Sequence, residues 1–229
     1  MTAFRFDVFL HDLLGFDFAN AALVTLWISV AAMMIGMAGG LLLALAQQAR
    51  WRAVRWSAWI YLWLFRGTPV LLQIIFAFNV LPSFGLILSG PVCAVLALGL
   101  HEAAYMTEIL RSGLGTVGPG QRDAARALGM SHGKMMRLVV LPQALRVIIP
   151  PTGNQFIGML KLSSLVSTIG VHELLLAAEQ SASGTFRYLE ALSAAGLYYL
   201  AFTTVLMAAQ HLLERRLTPT VGLSTPPSG

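Results

Sequence analysis

The sequence predicts an all-α membrane protein with five transmembrane helices, its N-terminus outside and its C-terminus in the cytoplasm. Three observations carry that prediction. First, 11% of the 229 residues are charged and 57% are hydrophobic, where an ordinary soluble domain carries roughly 25% charged residues. Second, several long runs lack charge altogether, as a helix crossing about 30 Å of hydrocarbon requires. Third, the basic residues gather on one side of those runs. With a mean hydropathy of +0.73, this composition excludes disorder, a disulfide scaffold and most soluble enzyme domains.

Taken in order, residues 1–20 read as an extracytoplasmic segment. They carry Asp7, Asp12 and Asp17 against Arg5, unlike the basic start of a signal peptide. The uncharged run that follows is also too long for a cleaved leader, so the first span is placed at 21–46. Gly67 to Leu100 is uncharged as well, but Pro82, Ser83, Gly85, Ser89, Gly90 and Pro91 interrupt it. Two helices are therefore expected, near 57–80 and 91–110. Val147 to Val171 holds only Lys161, and Ala191 to Leu213 has no formal charge beyond His211. These give spans at 147–171 and 191–213, within one transmembrane domain over 21–217. Residues 218–229, rich in Pro, Ser and Gly, read as a disordered tail.

Loop charge orients the chain. Arg50, Arg52 and Arg55 follow the first span; Arg111, Arg122, Arg126, Lys134, Arg137 and Arg146 lie between the third and fourth; Arg215 and Arg216 follow the fifth. Those are eleven of the fifteen basic residues, all on one side if there are five spans. The opposite side carries Asp7, Asp12, Asp17, Glu173, Glu179 and Glu190 beside Arg5 and Arg187. The net charge of +5 thus reflects topology, and nucleic acid is no partner, because no basic stripe is interleaved with exposed aromatics. Trp51, Trp56, Trp59, Tyr61 and Trp63 read as an anchoring belt at the cytoplasmic interface. Cys93 reads as a small apolar filler. No metal-ligand spacing, nucleophile–base grouping or GxxxxGK[ST] phosphate loop is present, so the chain is expected to bind no cofactor and to be no catalyst alone.

The loop over 111–146 is far longer than a connector needs to be. Gly118-Pro119-Gly120 breaks the chain, and Gln121 to Leu128 then reads as a short helix. Ala124, Ala125, Ala127 and Leu128 fall on one broad face of its helical wheel, Arg122 and Arg126 on the other. Asp123 suits the first turn, where a helix favours negative charge. Gly129 permits a turn that a side chain resists, Ser131 caps a second helix running to Val140, and Pro142 stops that helix or opens the next. Two readings fit this hairpin: a surface element packed on its own bundle, or a docking element for a cytoplasmic partner.

The stretch Asp123-Ala124-Ala125, three residues, Gly129, nine residues, Val139, one residue, Leu141-Pro142 resembles the EAA signature of ATP-binding-cassette importer permeases. Asp123 replaces a glutamate and Val139 an isoleucine. Phe65-Arg66-Gly67-Thr68-Pro69, Ala104 to Arg111, Leu141 to Arg146, Pro150 to Gly158 and Ser164 to Ser167 resemble the polar-amino-acid branch, whose solutes are of histidine, glutamine, glutamate or arginine type. The resemblance spans roughly residues 20–215. It implies the type I importer permease (MetI-like) fold and a homo- or heterodimer of permease chains. It also implies ABC ATPase subunits that use ATP and Mg, an extracytoplasmic solute-binding protein, and a small polar solute moved through the lipid of the inner membrane. Carried over by position, Asp123, Ala124, Ala125 and Gly129 couple to the ATPase, with Leu141 and Pro142 fixing the exit from the loop. Leu162 stands where many relatives have aspartate, and His172 where proline is common.

Charged and polar residues within spans mark a second set, because charge at mid-bilayer must face protein or water. Arg66 either snorkels to headgroups or, with Thr68 and Pro69, marks a helix break lining the pathway. Glu108 is expected to pair with Arg111, three residues on. Glu102 has no local basic partner; it either pairs with Lys161 or contacts substrate. Asn154, Gln155 and Lys161 follow Pro150, Pro151 and Gly153, which loosen backbone pairing, and are pathway candidates, although asparagine and glutamine between membrane helices also hold helices together. The leading expectation is an amino-acid importer permease; the alternatives are the same framework carrying another solute such as an opine, or a non-transporting membrane scaffold or membrane enzyme.

Overall fold

The computed structural model describes residues 4–217, so the expected tail at 218–229 lies outside the described residues. Every regular element among the described residues is helical. Helix α1 (Phe6–Leu14) leads at Gly15 into α2 (Phe16–Ala46), and α3 (Arg52–Gly67) and α4 (Val70–Asn79) follow. A 3-10 turn at Leu81–Phe84 precedes α5 (Gly90–Gly115), and α6 (Pro119–Ala127) and α7 (His132–Met135) form the long loop. A wide turn, Met136–Val140, joins α7 to α8 (Leu141–Leu162); a 3-10 stretch, Ser163–Ile169, leads to α9 (Leu174–Thr185) and α10 (Tyr188–Leu217). By length and composition α2, α5 and α10 suffice to cross a membrane, and five spans result if each bent pair, α3 with α4 and α8 with α9, counts as one.

Packing centres on α2 against α5. Gly36 and Gly40 face Glu102 and Met106, and Gly99 faces Ile35. A Cβ at Gly40 would lie 2.6 Å from the Met106 Cβ and one at Gly99 2.8 Å from the Ile35 Cβ. Small residues let the two backbones approach where lipid offers no hydrophobic drive. Ile28 and Ala32 of α2, Ile74 of α4, Ala94 and Leu98 of α5 and Met159 of α8 close the main core. A second core joins Phe18 and Ala22 of α2 to Leu174 and Ala178 of α9 and Ala194 of α10.

Residues 5–14 are tied to this second core. Asp12, buried, accepts from the Ser181 hydroxyl at 2.9 Å, the Tyr198 hydroxyl donates to the Leu13 carbonyl at 2.8 Å, and the Arg5 amide donates to Glu190 at 2.9 Å. The Arg5 guanidinium hydrogen-bonds Asp7 and holds that carboxyl below the usual carboxylate range.

Two expected helices differ from the observed ones. The helix expected over 57–80 is broken: α3 and α4 meet at 103°. Thr68 takes an extended backbone (φ −117°, ψ 145°), as the residue before a proline prefers. The span expected at 147–171 ends its helix at Leu162, and the chain turns by 51° into α9. Helix α8 passes through Pro150 and Pro151. Pro142 sits in the first turn of α8, where its missing N–H is no loss.

Candidate functional site

The α6–α7 hairpin forms around its own small core of Val117, Ala125, Met135 and Val140. Pro119 opens α6. The Ser131 hydroxyl caps α7 by accepting from the Lys134 amide at 3.4 Å. Gly129, at φ +73°, takes the left-handed turn between them, which any Cβ resists. Ala125 points inward, whereas Asp123, Ala124, Ala127 and Leu128 are exposed, Leu128 at 79%. Arg122, expected with Arg126 on the face opposite Ala125, turns inward beside it. Its Nη2 donates to the Leu114 carbonyl at 2.7 Å, because the inner face centres between Ala125 and Arg122 rather than on Ala124. Asp123 and Arg126 pair at 3.0 Å on the surface. Leu141 and Pro142 are exposed where the loop re-enters the bundle.

Beside the hairpin a cleft of about 1470 Å³ opens between α3, the ends of α2 and α5, and α7. Arg66 lies at its wall, over the Tyr105 ring at 5.6 Å and 3.9 Å from Glu108. Glu108 accepts from Arg111 at 2.9 Å, the local pair that the three-residue spacing predicts. The adjoining break between α3 and α4 is closed by a residue the sequence reading missed. The Gln73 amide nitrogen lies 3.0 Å from the Phe65 carbonyl, 3.1 Å from the Thr68 carbonyl and 2.9 Å from the Thr68 hydroxyl. Its oxygen lies 3.2 Å from His101 Nδ1, and His101 in turn packs on Tyr105 with ring centroids 5.0 Å apart. Thr68 itself donates to the Leu64 carbonyl at 2.8 Å. The signal for Gln73 was there to read, as an amide four residues after Pro69 in an otherwise apolar stretch that runs to Phe78.

The remaining candidates do not converge on the cleft. Glu102 is 2% exposed, and its Oε1 has no hydrogen-bond partner. The pair expected with Lys161 is absent: Lys161 is exposed, and no ion pair joins them among the described residues. Asn154 accepts from Gln210 of α10 at 3.2 Å, and Gln210 also donates to the Pro150 carbonyl at 3.1 Å, so this asparagine joins two helices. Gln155 is half-buried on α8. A second polar cluster was also missed. Glu173, fully buried, accepts from the Leu176 amide and the Tyr199 hydroxyl, each at 2.9 Å, and the Leu174 amide donates to Thr25 at 3.1 Å.

Comparison with known proteins places this geometry. The family described as binding-protein-dependent transport system inner membrane component matches residues 36–219. The chain is 38% identical over 227 residues to the arginine transport system permease protein ArgU of Corynebacterium glutamicum, covering 93% of this chain and 72% of that one. It is 38% identical over 195 residues to the arginine permease protein ArtQ of Bacillus subtilis (85% and 89% covered). To the glutamine permease protein GlnP of Escherichia coli K12 it is 37% identical over 200 residues (86% and 91%). A solved structure described as an amino acid ABC transporter with histidines superposes with a TM-score of 0.81 at 38% identity, over 87% of this chain and 94% of that one. The MetNI methionine transporter shares the fold, with a TM-score of 0.68 at 17% identity over 88% and 94%. With the family matched over most of its length, this chain belongs to the binding-protein-dependent transport system inner membrane components: it is a permease subunit of an ATP-driven importer, seated in the inner membrane and not catalytic on its own.

Proposed function

We propose that this chain imports polar amino acids as a five-span subunit, N-terminus outside and C-terminus cytoplasmic, pairing with a second permease chain. The bent pairs α3–α4 and α8–α9 each make one span in this reading, and the N-terminal segment lies on the extracytoplasmic side. The loop over 111–146 receives the ATPase. The observation that carries the proposal is the α6–α7 hairpin, which keeps Ala124, Ala127 and Leu128 exposed on a rigid base of its own. A small, firm, exposed face transmits a push from a partner, and closure of the ATPase pair then rocks the spans between two states. Asp123, Ala124, Ala125 and Gly129 form that face and its support, and Leu141 with Pro142 passes the motion into α8.

The solute reading rests on relatives named for arginine and glutamine transport. Arg66 and Thr68 at the helix break, Glu102 on α5, and Asn154, Gln155 and Lys161 on α8 are the pathway candidates. The test is reconstitution of the complex in proteoliposomes with its solute-binding protein, comparing uptake of arginine, glutamine and an opine. Gly129→Asp leaves insertion intact and abolishes uptake and solute-stimulated ATP hydrolysis. Normal uptake by that variant sinks the coupling assignment, and uptake of the opine alone sinks the amino-acid reading.

A further inference from the structure

The cleft beside the hairpin has a chemistry that the transport reading does not use. Its charge is one-sided: Arg55, Arg66, Arg111 and Arg122 line it against the single carboxylate Glu108. Its α3 wall is aromatic, with Trp59 62% and Trp63 68% exposed. A ligand that satisfies both features carries an anionic oxygen group and an apolar body.

We infer that the cleft holds the headgroup of an anionic phospholipid such as phosphatidylglycerol, its acyl chains against the tryptophan wall of α3. This rests on the proposed orientation, which puts the cleft in the cytoplasmic leaflet, where basic pockets between helices receive anionic headgroups. Guanidinium forks match phosphate oxygens geometrically, and indoles suit a surface that is apolar at one end and wet at the other. The outward face of α6, with Ala124 and Leu128, turns away from Arg122, so an ATPase docked there leaves the cleft to lipid.

The experiment is native mass spectrometry of the intact complex titrated with phosphatidylglycerol or phosphatidylcholine. Wild type retains phosphatidylglycerol in preference to phosphatidylcholine. Each arginine near a membrane surface contributes about fivefold to anionic-lipid binding, so the double variant Arg55→Gln, Arg111→Gln loses most of that preference. Arg50→Gln with Arg52→Gln, on the same end of the molecule but outside the lining, keeps it. Equal retention of the two lipids by wild type overturns the assignment without any variant. So does a double variant that retains phosphatidylglycerol as wild type does, the result expected if a protein subunit fills the cleft. Displacement by millimolar glycerol phosphate assigns the cleft to a soluble phosphate and overturns the lipid. Solute-stimulated ATP hydrolysis by the wild-type complex judges the importer reading separately.

Discussion

Gly36 of α2 lies so close to Glu102 of α5 that a Cβ at position 36 would stand 2.5 Å from the Glu102 Cγ. The stem of a buried carboxylic side chain thus occupies the notch left by a glycine, where α2 packs on α5. Overpacking a core costs about 1–3 kcal/mol. Gly36→Ala is expected to destabilise by that order, and Gly36→Val by more. Thermal unfolding of the detergent-purified protein reads this, and an unchanged melting temperature for Gly36→Val would falsify the close approach. Combining Gly36→Ala with Glu102→Ala restores only part of the loss, since the Glu102 Cγ goes but its Cβ, 2.7 Å from the new methyl, stays.

Lys161 offers a contrasting expectation. Breaking a buried ion pair costs about 3–5 kcal/mol, and the spacing of charges in the sequence left such a pair with Glu102 open. The structure has Lys161 exposed on α8 and Glu102 sealed between α2 and α5. Lys161→Met is therefore expected to change stability by no more than a few tenths of a kcal/mol, as exposed substitutions usually do. Its effect on uptake is a separate readout: lost uptake at unchanged stability supports a pathway role, whereas a large stability loss restores the pair.

Gln73 holds the bend between α3 and α4 by reaching back to Phe65 and Thr68 and across to His101. Gln73→Leu keeps the volume and removes the partners, leaving carbonyls of the break without a donor. Each such buried group costs about 1–3 kcal/mol. Amide hydrogen exchange over residues 64–73 should accelerate in the variant, with α10 unaffected. Equal protection in both proteins would mean that Pro69 and Thr68 set the bend unaided.

How far the sequence alone reached follows from the range of each signal. Ser131, Gly129 and Pro119 act on their immediate neighbours, so the turns of the hairpin were legible, whereas its second helix, expected to run to Val140, ends at Met135 and gives way to a wide turn. The long apolar runs gave α2, α5 and α10 because length and lack of charge are local properties. The 103° break after Gly67 was only half legible: Thr68-Pro69 marks it, but its angle depends on Gln73 meeting α5. Arg122 was assigned to the wrong side because the helical wheel fixes relative angles and not which sector meets the bundle; Val117, Met135 and Val140 decide that. The buried Glu173–Tyr199 contact at 2.9 Å links α9 to α10 across a turn, and no pattern within either helix announces it.

Ala124 and Ala125 are neighbours in sequence with opposite exposure, and this separates coupling from folding within one motif. Ala125 is 4% exposed, in the hairpin core; a charge there has no partner and must be desolvated. Ala125→Asp is expected to loosen the whole hairpin, raising protease cleavage within 118–135 and removing the ATPase from the purified complex as a consequence. Ala124 is exposed, its methyl outside the hairpin core. Ala124→Asp should leave the hairpin as protease-resistant as wild type, because a surface substitution outside a cap or core shifts stability by less than about 0.5 kcal/mol. The ATPase should nonetheless fail to co-purify with it. Retention of the ATPase by Ala124→Asp, with normal uptake, would mean that the partner does not sit on this face of α6.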